Sequence, residues 1–255
     1  MPDGRFFGTL IRTGKEMEST KEKYRHELKY MVDEREAELA VARIRQFMKT
    51  DEYHPEGKYR IRSVYFDDIW NSALMQNMNG VSPRSKYRIR VYNEEKGNIR
   101  LEQKIKNHDM TKKRSCLLSL DECNGLLRGC AEGIGPEEGG EGRGLLLDLG
   151  RKMHWDYLRP KVIVEYERTA FTYKQGNVRV TFDRNLATSN YVCKLWDNKL
   201  PKNPVMGNGK CVMEVKFDEF LPGCVKQALD TGKMERVRFS KYTLCRMKGT
   251  MEKWA

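Results

Sequence analysis

Several short segments of the chain alternate charged residues with apolar or aromatic ones. In the clearest of them, three cations alternate with Tyr87, Ile89 and Val91. Successive side chains of a strand point to opposite faces, so each run places its charges on one side. Several such strands predict a closed sheet whose charged face surrounds a polyanion and a metal ion. The charged positions are Glu27-x-Lys29, Lys86-x-Arg88-x-Arg90, Arg100-x-Glu102-x-Lys104-x-Lys106 and Glu214-x-Lys216.

Helical signals lie between these runs. Asp33 with Glu36 and Ser119 with Glu122 have the spacing of capping boxes, which predicts a helix after each. Pro222 suits the first turn of another helix. The sequence contains no G-x-G-x-x-G and no G-x-x-x-x-G-K-[ST] phosphate loop. Strands interrupted by helices, with hairpin-like connections, favour an α+β antiparallel arrangement over a doubly wound parallel sheet.

The predicted elements fill one domain. We expect a flexible N-terminal arm at residues 1–20, a single domain at 21–255 and a flexible Gly/Glu-rich insertion near 131–144. Strands are predicted at 24–32, 60–67, 85–92, 98–105, 112–118, 161–173, 177–183 and 210–217. Helices are predicted at 33–49, between 67 and 80, after 119, at 145–158, from 222 and at 239–247.

Composition narrows the class of partner. The 255 residues include 48 Lys and Arg against 36 Asp and Glu, and the net charge of +12 predicts an anionic partner. Charge alone does not choose between nucleic acid, a membrane surface and polyphosphate. The seven cysteines form no CxxC pair, which favours reduced thiols in a cytoplasmic protein. We find neither a signal-peptide core nor a stretch long enough for a membrane span in the sequence.

Eight blocks of the sequence, in order, resemble the polyphosphate polymerase domain of the vacuolar transporter chaperone (VTC) family. This family belongs to the triphosphate tunnel metalloenzymes, also called CYTH-like proteins. The resemblance runs from about Tyr24 to Met247. The blocks are Glu27-x-Lys29-Tyr30, Ser63-Val64-Tyr65-Phe66-Asp67, Lys86-Tyr87-Arg88-Ile89-Arg90, Leu101-Glu102-Gln103-Lys104, Tyr166-x-Arg168-x-Ala170-Phe171, Arg179-x-Thr181-Phe182-Asp183, Met213-Glu214-x-Lys216 and Ser240-Lys241-Tyr242.

The resemblance implies an antiparallel eight-stranded β-tunnel, or barrel, with flanking helices. It also implies an activity: transfer of the ATP γ-phosphate to a polyphosphate chain, release of ADP, and dependence on Mn²⁺ or Mg²⁺. Carried over to this sequence, the catalytic positions are Lys29, Arg88, Arg90, Lys104, Arg168, Arg179 and Lys241. The substrate-binding positions are Lys86, Glu102, Lys112, Lys113 and Lys216, of which one of the adjacent lysines is expected to face inward. The metal-binding positions are Glu214 and Glu27.

The first strand departs from the wider group. Tunnel enzymes typically carry ExExK there, whereas this chain has Arg25-x-Glu27-x-Lys29, which fits the VTC branch better than a two-metal hydrolase. We expect a stand-alone catalytic module that binds ATP and inorganic polyphosphate or triphosphate, with no nucleic-acid partner.

Two other functions remain open at this point. One is an inorganic or nucleoside triphosphatase in the same tunnel, and the other is a polyanion-binding module without turnover. Some of these residues could also have a purely structural or solvent-exposed role. Arg88 and Arg90 suit a solvated hairpin, Glu214-x-Lys216 suits a surface ion pair, and Arg168 suits structural pairing to Asp183 or Glu167.

Overall fold

The computed structural model describes residues 25–51, 57–108, 110–130, 143–232, 234–237 and 240–251. The predicted arm at 1–20 and residues 131–142 of the predicted insertion lie outside the described residues. The last two residues of that insertion, 143 and 144, begin a helix instead.

Strands are the commonest secondary structure of the described chain. They are β1 (His26–Asp33), β2 (Lys49–Thr50), β3 (Tyr59–Asp67), β4 (Arg84–Tyr92), β5 (Ile99–Asn107), β6 (Met110–Leu118), β7 (Arg159–Tyr173), β8 (Val178–Ser189), β9 (Asn203–Pro204), β10 (Lys210–Phe217) and β11 (Glu235–Arg236). The helices are α1 (Glu34–Ile44), α2 (Ser72–Met78), α3 (Leu120–Leu127), α4 (Arg143–Trp155), α5 (Gly223–Leu229) and α6 (Lys241–Met251). Among the described residues, no helix has the length and apolarity needed to cross a membrane.

All strands join one antiparallel sheet in the order β11-β1-β10-β8-β7-β3-β4-β5-β6, with β2 added to β7 and β9 to β8. The predicted α+β antiparallel class is therefore confirmed. The predicted closed barrel of eight strands is not: the sheet has eleven strands, and no ladder joins β6 to β1 in the described part of the chain. The outer edge of β1 pairs with β11 instead, and the Val237 amide donates to the Lys29 carbonyl at 2.9 Å.

The sheet nevertheless curves strongly. Lys104 on β5 contacts Glu27 on β1 at 2.9 Å, although five strands separate β5 from β1 in the sheet order. Neighbouring strands lie about 4.8 Å apart, so a flat sheet would hold these two residues roughly 29 Å apart. Curvature therefore gives the sheet a concave face across which side chains meet.

The convex face carries two apolar clusters under helices. In the first, α3 and α4 cover side chains such as Ile89 and Leu101. In the second, α1 and α5 cover side chains such as Val180 and Val215. Both predicted capping boxes are present, at Asp33 for α1 and at Ser119 for α3. Burying each apolar strand side against helices leaves the charged side for the concave face.

A third apolar cluster lies on the concave face at one end. Here α6 places Tyr242 and Cys245 against Tyr65, Tyr166 and Leu186. The Tyr242 hydroxyl donates to the buried carboxylate of Asp67 at the end of β3. The α6 helix therefore borders the charged part of the concave face.

Candidate active site

Cross-strand register brings the predicted charges together. Lys29 on β1 lies opposite Glu214 on β10, and Glu27 lies opposite Lys216. Directly opposed residues of antiparallel strands point to the same face. The two alternating runs therefore form one charged surface on the concave face rather than two separate strand edges.

Glu27 lies between two lysines. Its carboxylate contacts Lys29 Nζ at 3.0 Å and Lys104 Nζ at 2.9 Å. Burial and the nearby Glu214 both disfavour the ionised form, but the lysines outweigh them and hold the pKa of Glu27 at about 2. Glu27 is therefore a carboxylate that stays charged in this structure at any ordinary pH.

Glu214 is buried and contacts Lys216 Nζ at 2.7 Å. Burial raises its pKa, yet Lys216, Lys29 and Lys241 together hold that pKa well below its usual range. The alternative of a solvated surface ion pair for Glu214-x-Lys216 is wrong, because this glutamate is only 6% exposed.

Arg88 and Arg90 share one buried carboxylate. Arg88 Nε contacts Glu102 Oε2 at 2.7 Å, Arg90 Nη1 lies 3.6 Å from the same oxygen, and Lys113 Nζ contacts Oε1 at 3.2 Å. The Tyr65 hydroxyl also accepts from Arg88 at 2.8 Å. Burial opposes ionisation of Glu102, and these cations reverse that effect and lower its pKa. Glu102 thus orients three cations, and the alternative of a solvated hairpin is wrong for Arg88 and Arg90.

Arg168 makes a bidentate pair with Asp183, at 2.6 and 2.8 Å. Lys241 on α6 contacts the same carboxylate at 2.6 Å. Both cations also lie over the Tyr166 ring, with Arg168 Cζ at 5.2 Å and Lys241 Nζ at 5.1 Å from its centre. The structural pairing of Arg168 to Asp183 therefore exists, but two cations share that single carboxylate.

Lys86 lies where β4 meets α2 and α6. Its amine donates to Asn77 Oδ1 and Ser240 Oγ, each at 3.0 Å, and neither acceptor is a carboxylate. Burial, with repulsion from Lys104 and Lys29, lowers the pKa of Lys86 to about 7. This lysine changes its charge near neutral pH.

Three further predicted cations are Arg179 on β8 and the neighbouring lysines Lys112 and Lys113 on β6. Arg179 contacts Asp51 at 2.6 Å and the Tyr59 hydroxyl at 3.1 Å. Lys113 faces the concave side through its contact with Glu102. Lys112 is therefore a wrong assignment, because neighbouring residues of a strand point to opposite faces.

The concave face carries a surplus of positive charge. Its cations are Lys29, Lys86, Arg88, Arg90, Lys104, Lys113, Arg168, Arg179, Lys216 and Lys241. The carboxylates facing them are Glu27, Asp51, Glu102, Asp183 and Glu214. An anion with many oxygens, such as a phosphate chain, matches a buried surface of this kind.

Three buried donors on this face have no hydrogen-bond partner. They are Ser63 Oγ, Thr181 Oγ1 and Arg90 Nε. Ser63 is directly opposite Arg90, and Thr181 is directly opposite Glu214. Buried polar groups are normally paired, so unpaired donors beside surplus charge fit a site that receives acceptor oxygens from a ligand.

Several solved structures are similar to this chain at low identity. A protein from Pyrococcus horikoshii OT3 is 12% identical with a TM-score of 0.46, covering 88% of this chain and 99% of that one. A Hippeastrum protein described as having a dominant triphosphatase activity is 13% identical with a TM-score of 0.49, covering 89% and 96%. A Bacillus halodurans protein described as a candidate adenylate cyclase is 14% identical with a TM-score of 0.46, covering 76% and 80%. No curated protein matches the chain.

The family comparison is decisive. The model of the VTC domain matches residues 24–248. This chain belongs to the VTC domain family. The match spans the predicted extent of the resemblance and includes all fourteen residues assigned above from the sequence, from Glu27 to Lys241.

Two carboxylates of this VTC domain suit a divalent cation. Glu214 lies close enough to Glu27 for its charge to raise the pKa of Glu27, against the stronger effect of the lysines. Mg²⁺ and Mn²⁺ prefer oxygen ligands, and Mg²⁺ often takes one or two carboxylates and completes its shell with substrate phosphates and water. The described residues hold no group of three or more His, Cys, Asp or Glu suited to a metal. The residues present therefore fit an ion that a phosphate ligand helps to hold.

Sequence reasoning did not assign five residues that the VTC domain brings to the site. They are Ser63, Tyr65, Tyr166, Thr181 and Ser240. All five fall inside the blocks that carry the resemblance, and Ser63 and Tyr65 alternate like the charged residues. Their uncharged side chains gave no electrostatic signal, and only strand pairing and, for Ser240, its contact with Lys86 show that they face the cations.

Proposed function

We propose that this VTC domain is a metal-dependent polyphosphate polymerase. It transfers the γ-phosphate of ATP to the end of a polyphosphate chain and releases ADP. A terminal oxygen of the chain forms the new bond to the γ-phosphorus, and the bond from that phosphorus to the β–γ bridging oxygen breaks. One observation carries the proposal: a buried concave face with more cations than carboxylates, in a member of this family.

Catalysis of phosphoryl transfer depends mainly on charged groups held in position around the phosphates. Glu102 and Tyr65 hold Arg88 in place, and Asp183 holds Arg168. Fixed guanidinium groups bind phosphate oxygens without having to reorganise. The planar guanidinium of Arg can donate to two oxygens of one phosphate at once. Together with Lys29 and Lys241, these groups would bind the phosphate chain and stabilise the charge that shifts to the leaving ADP.

A divalent ion would be held by Glu214 with Glu27 beside it. Bound there with the substrate, Mn²⁺ or Mg²⁺ supplies further neutralisation of phosphate charge. The chain's own part is to place the two carboxylates among lysines that keep them ionised.

The seven cysteines are all free thiols in the structure. Free thiols are typical of reducing compartments, which supports a cytoplasmic location as part of this proposal.

The test is a product analysis of the full chain incubated with ATP and Mn²⁺. ADP, free phosphate and long-chain polyphosphate are separated and quantified, with Glu214→Gln as the control. We expect ADP and polyphosphate in proportion. Free phosphate as the main product would identify a triphosphatase, and tripolyphosphate binding without ATP consumption would identify a binding module.

A further inference from the structure

Exposed apolar side chains concentrate around α2. Of the thirteen large hydrophobic residues that are exposed in the described chain, five lie between positions 69 and 81. A sixth, Met247, lies on α6, which packs against α2. We call these six the α2 patch: Ile69, Trp70, Met75, Met78, Val81 and Met247. Clustering of this kind marks an interaction surface, because single exposed apolar residues are ordinary but contiguous ones are not.

The patch is rigidly built. Asn77 on α2 donates to Thr243 on α6, and Arg246 Nη2 donates to Asn71 Oδ1 at 2.5 Å. Met247 follows Thr243 by one turn of α6 and so lies on the side of α2. Leu74 packs inward on the apolar cluster of the concave face while Met75 and Met78 stay exposed. A helix that is apolar on its buried and its exposed sides needs a second apolar partner.

The surroundings of the patch are cationic. No Asp or Glu occurs from position 69 to 93 or from 241 to 251. Arg84, whose guanidinium donates to the Val81 carbonyl at 2.6 Å, lies opposite Lys106, and Lys248 follows Met247. The two carboxylates that precede α2, those of Asp67 and Asp68, are engaged by backbone N–H groups at its start.

The positive charge around the α2 patch indicates which kind of partner binds there. A second copy of the chain would bring an identical cationic rim against the first, which is unfavourable in a two-fold contact. An anionic lipid surface is complementary in both respects, since it offers negative headgroups around an apolar interior. Exposed Trp is also favoured at the boundary between headgroups and acyl chains.

We propose that the α2 patch docks on the surface of an anionic lipid bilayer. Trp70, Met75 and Met78 enter the boundary between headgroups and acyl chains, and Arg84 contacts lipid phosphates. This docking does not depend on the proposed polymerase activity, because no residue of the patch belongs to the active site.

The test is co-sedimentation of the full chain with vesicles of phosphatidylcholine alone or with 30% phosphatidylglycerol. Saturating tripolyphosphate keeps the cations of the concave face occupied. We expect partition into the anionic vesicles only, weakening as salt is raised. The double variant Trp70→Ser, Met78→Ser should lower the partition coefficient about tenfold or more, because it removes apolar surface buried in lipid.

A matched control is Trp155→Ser. Trp155 is 75% exposed, against 65% for Trp70, but lies on α4 at the convex face. It should partition like the wild type, and the double variant should keep the wild-type melting temperature and ATP products. Absence of partition, or equal partition of the double variant and the wild type, would overturn the proposal. A concentration-dependent dimer in light scattering that the double variant abolishes would also overturn it, in favour of a second copy.

Discussion

Arg62 and Arg88 lie on neighbouring strands, point to opposite faces of the sheet and are both buried beside a glutamate. On the convex side, Arg62 pairs with Glu165 and Glu94, and its Nη1 donates to the carbonyls of Leu195 and Asp197, both at 2.8 Å. On the concave side, Arg88 shares Glu102 with two other cations. The difference separates two uses of a buried arginine. Arg62 is bound by two carboxylates, which it shares with Lys202 and Arg60, and by two carbonyls, and this full set of partners fixes structure. Arg88 has a single carboxylate that two other cations also use, which leaves positive charge for a ligand.

The largest effect expected on the concave side is that of Glu214→Gln. The amide keeps the size of the side chain but loses the charge that would hold the metal, so ATP turnover should fall at least about 100-fold. Initial rates of ADP release at saturating Mn²⁺ measure it. Tripolyphosphate affinity should persist, because it comes from many cations. A variant with near-normal turnover would remove Glu214 from the metal site.

Arg88→Ala and Arg62→Ala test the distinction between the two arginines. Loss of Arg88 should weaken tripolyphosphate binding about 10- to 100-fold, with a smaller difference from the wild type at high salt. Loss of Arg62 should instead lower the free energy of unfolding by about 3–5 kcal/mol, because Glu165 is left buried with fewer partners. Calorimetric titration and urea unfolding measure the two quantities. Similar losses of affinity in both variants would contradict the distinction.

Lys86 predicts a pH dependence of ligand binding. Because its pKa is about 7, raising the pH from 6 to 8 removes a positive charge and should weaken tripolyphosphate binding several-fold. Lys86→Arg should flatten this dependence and leave a residual slope from Lys104, whose pKa burial and nearby charges lower to about 8. Titrations at four pH values measure the slope. An unchanged slope in Lys86→Arg would show that Lys86 does not contact the ligand.

The same lowered pKa has a consequence for stability. The unfolded state, with a lysine pKa near 10.5, binds the proton more tightly than the folded state, so Lys86 costs stability that is regained as pH rises from 7 towards 10.5. Lys86→Met should therefore raise the melting temperature at pH 6, with a gain that shrinks at pH 9. A gain that grows with pH would contradict the sign of the shift.

The smallest effect is expected from Arg100→Ala. Arg100 lies opposite Arg90 and nearer the hairpin turn than Arg88, and its Nε donates to Asn98 at 3.0 Å. Its removal should weaken tripolyphosphate binding by less than about threefold, measured alongside Arg88→Ala. Equal losses at the two positions would mean that charge anywhere on the hairpin contributes alike.

Periodicity predicted the strands because each has one apolar side that must be buried. It could not tell which face of the sheet a charged run occupies. Arg60 and Arg62 alternate in the sequence just as Arg88 and Arg90 do, yet Arg62 lies on the convex side beneath the 192–197 segment. Alternation fixes that residues share a side, and tertiary packing decides which side it is.

Other features depend on contacts distant in sequence. The pairing of β11 with the edge of β1 involves two residues with no strand signal of their own, so the open sheet could not be foreseen. Most of the charged residues named from the family motifs come together on the concave face, because they alternate along strands that pair in register. Which of Lys112 and Lys113 faces inward could not be predicted, because a run of three cations gives no indication of strand phase.

The most direct test of the proposed phosphate site on the concave face is a crystal structure of the full chain with tripolyphosphate and Mn²⁺. The phosphate chain should lie on the concave face within hydrogen-bond distance of Lys29, Arg88 and Arg168, with an anomalous Mn²⁺ peak beside Glu214. Phosphate bound elsewhere, with these cations still paired only to Glu27, Glu102 and Asp183, would contradict the account.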